Sequence, residues 1–180
     1  MKEDEVKLIE CASFGDLDTI SELLEQGVNI NTDSCSSFPL FEAVSIGNIE
    51  LIKLLLKSGA IDLNRYEKSS GYTALHAAIF YSQFHNDSAI LRLLLSDARV
   101  DISAPCRAPL TLGYTPLHLA SFTGNPEAIN ALLKANADAT AITEDGLSVF
   151  DVACQSTSCN VEAKQIIDLI KNTNKHFITA

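Results

Sequence analysis

The sequence predicts an all-α solenoid of helix-turn-helix units stacked side by side and joined by β-hairpin finger loops. Three observations predict it. A signature recurs: Gly71-Tyr72-Thr73-Ala74-Leu75-His76-Ala77-Ala78 returns as Gly113-Tyr114-Thr115-Pro116-Leu117-His118-Leu119-Ala120. Each copy is followed by a second apolar run, Ile90-Leu91-Arg92-Leu93-Leu94-Leu95 in one case and Ala128-Ile129-Asn130-Ala131-Leu132-Leu133 in the other. The signature leucine marks a period, falling at Leu8, Leu40, Leu75, Leu117 and, with Phe in its place, Phe150, in steps of 32, 35, 42 and 33 residues. Units of this length are amphipathic and cannot bury an apolar face alone, so they stack into one continuous core.

Taken in order, the first unit (residues 1–33) pairs Leu8-Ile9-Glu10-Cys11 with Ile20-Ser21-Glu22-Leu23-Leu24. Its Glu3, Asp4, Glu5 and Lys7 suit the wetted outer face that an end unit presents. The second (34–67) reads Phe38-Pro39-Leu40-Phe41-Glu42-Ala43, then Leu51-Ile52-Lys53-Leu54-Leu55-Leu56. The third (68–103) and fourth (104–140) carry the full signature. Thr115 stands where a helix N-cap belongs, its hydroxyl able to accept a free N–H of the first turn. Pro116 follows at the first helical position, where a missing N–H costs nothing. Leu117 and Ala120, three apart, share a face, and the small Ala lets neighbouring helices approach. The fifth unit (141–172) joins Ser148-Val149-Phe150-Asp151-Val152-Ala153 to Ile166-Ile167-Asp168-Leu169-Ile170, with Ser148 and Asp151 as a capping box and 173–180 as a tail. Gly27, Gly59 and Asn136 stand where left-handed C-caps are expected. Asn29-Ile30-Asn31 and Ile61-Asp62-Leu63-Asn64 begin fingers, and Glu144-Asp145-Gly146 reads as a hairpin turn.

This pattern resembles the ankyrin repeat family across essentially the whole chain, as about five repeats with the Thr-Pro-Leu-His-x-Ala signature. The resemblance implies that Thr73, His76, Thr115, Pro116 and His118 are structural, each His ring tying its Thr to neighbouring loops. It also implies that the two positions before the turn glycine face a concave groove. Here they are Ser13/Phe14, Ser45/Ile46, Phe80/Tyr81, Phe122/Thr123 and Gln155/Ser156. The middle of that row is aromatic in a chain with no Trp and 7% aromatic residues. Phe80 and Phe122 are read either as groove anchors for a partner or as side chains folded against neighbouring units.

The 42-residue step departs from the family. Tyr81-Ser82-Gln83-Phe84-His85-Asn86-Asp87 is expected to lengthen the link between the two helices of the third unit. Ala104-Pro105-Cys106-Arg107-Ala108-Pro109-Leu110-Thr111-Leu112 lengthens the finger before the fourth, and Gln155-Ser156-Thr157-Ser158-Cys159-Asn160 the last turn. Insertions in repeat arrays map to loops, often on the binding face, although a longer surface loop is also cheap to carry. Leu110 and Leu112 are apolar side chains on such a loop, which makes them contact candidates with Phe14, Ile46, Phe80, Tyr81 and Phe122.

The formal net charge of −10 and the absence of a Lys/Arg cluster argue against nucleic acid and against an anionic membrane. The charged start, followed by no long apolar run, argues against a secretory signal, and no apolar stretch reaches bilayer length. Five scattered cysteines without a Cys-x-x-Cys pair read as reduced thiols of a cytoplasmic protein, with Cys11 and Cys154 as small buried residues. No metal-ligand spacing, phosphate loop or nucleophile-base pattern is present, so the reading is a non-enzymatic protein without metal or cofactor. The expected function is recognition of a protein partner by a monomer through groove and finger tips, as an adaptor or scaffold. Alternatives are an inhibitor or modulator of a partner enzyme, a microbial effector in host cytosol, and a structural homo-oligomer. Ankyrin-type inhibitors of cyclin-dependent kinases resemble this chain in size, but they carry a shortened helix where this sequence predicts a full one, Phe38 to Ile46.

Overall fold

The computed structural model describes residues 2–32 and 35–155. These form helices α1 (Lys2–Phe14), α2 (Leu17–Glu25), α3 (Pro39–Ser45), α4 (Ile49–Lys57), α5 (Ala74–His85), α6 (Ala89–Leu95), α7 (Pro116–Thr123), α8 (Pro126–Lys134) and α9 (Val149–Gln155). The helices pair as α1–α2, α3–α4, α5–α6 and α7–α8, and the first helices stack in chain order, α1 on α3, α5, α7 and α9 in turn. One core cluster runs through the stack. Leu8, Leu40, Leu75 and Leu117 are all buried, as are Ile20, Ile52, Leu55, Leu91, Ile129 and Leu132 of the second layer. Phe150 departs from its column: it is 37% exposed, and Val149 and Val152 beside it take the burial in the fifth unit.

Caps place each helix. Thr73 and Thr115 accept the N–H of His76 and His118, and His76 Nδ1 accepts the Thr73 N–H in return, over 3.2 Å. Ser148 and Asp151 close the reciprocal box, with Asp151 Oδ2 accepting from Ser148 N at 2.9 Å and Ser148 Oγ accepting from Asp151 N at 3.2 Å. Three of the second helices, α2, α4 and α8, use a device that the signature does not contain. Asp16, Asn48 and Asn125 each accept the N–H three residues on, and each follows a glycine (Gly15, Gly47, Gly124) with φ of 69–76°. The residues Gly27, Gly59 and Asn136 take left-handed angles, as their positions require.

The addition at Tyr81–Asp87 is not the loop that the repeat pattern leads one to expect. It extends the helix: α5 runs on to His85, and Asn86 at φ 51° stops it. Ser82 holds the place where the first, second and fourth units have their turn glycine, so nothing interrupts α5 a turn earlier. The addition at Ala104–Leu112 is a true finger extension. Cys106 N donates to Tyr114 O over 2.8 Å, as Glu67 N does to Tyr72 O and Thr143 N to Leu147 O. The fourth finger therefore has the same base and a longer tip. Isolated antiparallel bridges at Tyr66–Thr73 and Ile142–Ser148 mark the third and fifth fingers. The expected second helix at Ile166–Ile170, the expected lengthened turn from Ser156 to Asn160 and residues 173–180 lie outside the described residues.

Finger starts are tied unit to unit by a repeated amide bracket. Asn31 donates from Nδ2 to Ala60 O and accepts the Asp62 N–H, and Asn64 does the same to Arg99 O and Asp101 N, all within 2.7–2.9 Å. Arg99 adds donors to the Gly59 and Leu56 carbonyls at the end of α4 while paired with Asp97 at 2.7 Å. All four described cysteines are free thiols, but Cys11 is half-buried and Cys154 exposed, so the buried small residue is Cys106 instead. Its side chain packs with Tyr114 and Val152 beneath the long finger. No described helix is long and apolar enough to cross a membrane.

Candidate groove and finger surface

Two aromatic stacks, one unit apart, stand at the middle of the row of candidate groove positions. Tyr72 lies edge-on to Phe80, with ring centroids 5.2 Å apart, and Tyr114 meets Phe122 in the same way at 5.9 Å. On its other side each Tyr tilts over the signature His, Tyr72 on His76 and Tyr114 on His118, both at 5.8 Å and 37°. The two readings of Phe80 and Phe122 thus meet: each packs on its own unit's Tyr, yet Phe80 is half-buried and Phe122 is exposed at 43%. Edge-on geometry of this kind adds about 0.5–1.5 kcal/mol beyond burial.

An open cleft of about 230 Å³ sits between units two and three. Phe41 and Ser45 of α3 line one side, Ala77, Phe80, Tyr81, Phe84 and His85 of α5 the other, and Tyr72 the base. The helical extension supplies two of these side chains. Phe84 is 80% exposed, and His85 stacks on Tyr81 with centroids 4.2 Å apart. Phe41, Phe84 and His85 line this cleft although the row of candidate groove positions did not include them. The i, i+4 spacing of Phe80 and Phe84 would have found the second, had the stretch been read as helix.

The other expected contacts are distributed along the array. Phe14, at the end of α1, is 86% exposed, and Ile46, at the C-cap of α3, is exposed beside Gly15. Leu110 at the fourth fingertip is 94% exposed, and Leu112 is exposed too, while Ala104, Cys106, Ala108 and Thr111 of the same loop are buried. The finger is thus packed at its base and bare at its tip. It is also joined to the groove: Tyr72 Oη lies 3.1 Å from Thr111 Oγ1, so the ring that floors the cleft also holds the finger.

Electrostatics follow burial. His76 is fully buried, and the loss of water lowers its pKa to about 4, which the nearby Tyr114 main chain only partly offsets. Burial lowers His118 as well, against the pull of the Leu147 carbonyl, 3.3 Å from its Nε2. Both rings are thus neutral near pH 7, bonded to the capping threonines at 2.8 Å, which is a structural assignment. Glu67 is buried inside the third finger; burial opposes its charge, but the N–H and hydroxyl groups of Ser70 and Ser69 outweigh it and lower the pKa. Among the described residues, no three His, Cys, Asp or Glu side chains gather as a metal site would require.

Comparison with known proteins places this geometry. Residues 8–106 match a family model for ankyrin repeats in three copies, and residues 112–144 match the model of a single ankyrin repeat. The chain is 32% identical over 134 residues to the regulatory protein NPR1 of Arabidopsis thaliana, a match covering 74% of this chain and 20% of that protein. It is 34% identical over 127 residues to an ankyrin repeat protein of Rickettsia bellii, covering 69% and 65% of the two chains. An ankyrin repeat protein of fowlpox virus, FPV031, is 32% identical over 154 residues, 80% of this chain and 41% of the viral one. The chain therefore spans a fifth to two thirds of the length of these three relatives.

Proposed function

The chain belongs to the ankyrin repeat family, whose repeats are general protein–protein interaction modules and not catalysts as a rule, and from that premise we propose that it is an adaptor or scaffold that grips one protein partner in its groove and with its long fourth finger. The observation that carries the reading is an aromatic-lined open cleft joined to a finger with exposed apolar side chains at its tip. Phe80, Phe84 and Tyr81 line the cleft, and Leu110 and Leu112 stand on the finger that Tyr72 ties to it. Exposed aromatic and aliphatic groups cost solubility unless a partner covers them, and aromatic anchors carry much of the energy of protein interfaces. Phe14, Ile46 and Phe122 extend the same surface toward either end. The module acts as a cytoplasmic monomer without cofactor, and binding to nucleic acid or membrane is not part of the reading.

The test replaces Phe80 and Phe122 together by Ala and measures both partner capture from lysate and thermal unfolding. Loss of capture by about 30-fold or more, as hot-spot truncation gives, with unfolding shifted only by the modest cost of the two ring pairs, supports the reading. Full retention of capture refutes it.

A further inference from the structure

The groove has a sign as well as an apolar floor. Among the first helices, α3, α5, α7 and α9 contain no Lys or Arg and α1 carries Lys2 and Lys7, whereas the second layer carries Lys53, Lys57, Arg92 and Lys134. Glu42 holds the register position in its unit that Ala77, a lining residue of the cleft, holds in the next, and Glu10 holds the same position one unit earlier. Glu42 also lies one residue from Phe41 and three from Ser45, which line the cleft. With α1 stacked on α3, Glu10 and Glu42 hold equivalent positions in adjacent units, and neither makes an ion pair among the described residues. Two finger cations are engaged elsewhere: Arg65 lies 5.4 Å from the Phe38 ring and bonds to the Asn31 and Thr32 carbonyls, and Arg107 lies 3.8 Å from the Tyr66 ring. The groove thus runs from two like-charged carboxylates at the α1–α3 end to an aromatic cleft at the α3–α5 junction.

Resting on the proposed protein-binding role, we infer that the occupant of this groove is a cationic amphipathic segment of the partner, which seats bulky apolar residues on Phe41, Phe80 and Phe84 and places Lys or Arg beside Glu10 and Glu42. A cationic segment is attracted to these two carboxylates as it binds, and an anionic segment is repelled by them. The apolar contacts supply most of the affinity, and the carboxylates fix the direction in which the segment lies and accelerate its approach.

The probe is a fluorescein-labelled synthetic peptide with Leu and Phe on one helical face and Lys on the other, beside an isomer carrying Glu for every Lys. Fluorescence anisotropy with the full chain should detect the cationic peptide and not the anionic one. The variant Glu10→Gln with Glu42→Gln should weaken it about three- to tenfold, the value of two exposed ion pairs, and flatten its dependence on salt. Thermal unfolding of this variant should stay unchanged, because neither carboxylate makes an ion pair among the described residues. Equal binding of both peptides, no binding of the cationic one, or unaltered affinity in the double Gln variant overturns the inference. The two readings fail separately: partner capture that needs Phe80 and Phe122 but ignores Glu10 and Glu42 keeps the binding role and removes the cationic occupant.

Discussion

Tyr81 of α5 lies directly across Gly47, the turn glycine of the preceding unit, so that a β-carbon there would overlap the phenol oxygen and the adjoining ring edge. Gly47 is also at φ 76°, where an L side chain is strained. Replacing Gly47 by Ala should therefore cost about 2–4 kcal/mol, the sum of left-handed strain and a displaced ring. Gly27 is the control, since it has φ 80° and nothing within 4 Å of an added β-carbon. Gly27→Ala should cost only the strain, about 1 kcal/mol. Urea unfolding of both variants measures the difference, and equal losses would mean that Tyr81 moves aside freely.

A second unit-to-unit contact is polar and buried. The Asn125 side-chain amide donates to Ser82 Oγ over 2.7 Å while its carbonyl oxygen accepts the Ala128 N–H that starts α8. Asn125→Asp retains the cap acceptor and removes the donor, whereas Asn125→Ala removes both. The Ala variant should lose about 2–4 kcal/mol, one cap plus one buried bond. A double-mutant cycle with Ser82→Ala should return a coupling of about 1 kcal/mol. Zero coupling would show the bond to be dispensable.

The parts of this fold legible in the sequence were those where one residue type answers one local need. Thr115 before Pro116 names a helix start, Ser148 with Asp151 names a reciprocal cap, and Asn136 names a left-handed stop; the structure has all three. The extension of α5 departs from the sequence expectation because an addition to a repeat reads as a loop. The physical sign was there in Ser82, which stands where Gly15, Gly47 and Gly124 end their helices. What no local rule could supply was tertiary: that Asn125 reaches Ser82, that Tyr72 links finger to cleft, and that Phe150 turns outward from its column. The fold was therefore more legible than the surface it presents.

Buried His76 gives stability a pH dependence of known sign. Its folded pKa, about 4, lies below the unfolded value of 6.5, so the folded state binds fewer protons than the unfolded one. Its contribution is intact above pH 6.5 and is lost progressively as pH falls toward 4, up to about 3 kcal/mol. His118 adds loss in the same direction. Asp97, Asp138 and Asp151 have carboxyl pKa values held down by side-chain bonds to Arg99, Thr140 and Ser148, so their loss comes at more acid pH, as they protonate. Urea unfolding at stepped pH should thus show a decline beginning near 6, and His76→Gln should flatten that part of the curve. A wild-type curve level from pH 7 to 5 would contradict the assignment of a buried neutral ring.

The long finger separates base from tip in a way that mutation can read. At its base, Gly71 (φ 71°) accepts the Arg107 N–H over 2.8 Å, and an added β-carbon would stand 2.6 Å from Arg107 C and 2.7 Å from Ala108 N. Backbone cannot swing away as a side chain can, so Gly71→Ala must push the finger off the third unit. It should cost about 2–4 kcal/mol and speed hydrogen exchange at the Arg107 amide. At the tip, Leu110 and Leu112 lie in solvent, and replacing both by Ser should change unfolding by no more than about 0.5 kcal/mol while reducing partner capture. If the tip variant unfolds early, the leucines serve the fold; if it binds undiminished, the finger lies outside the interface. A base that governs stability and a tip that governs binding would show that the insertion is anchored by the fold and bared for a partner.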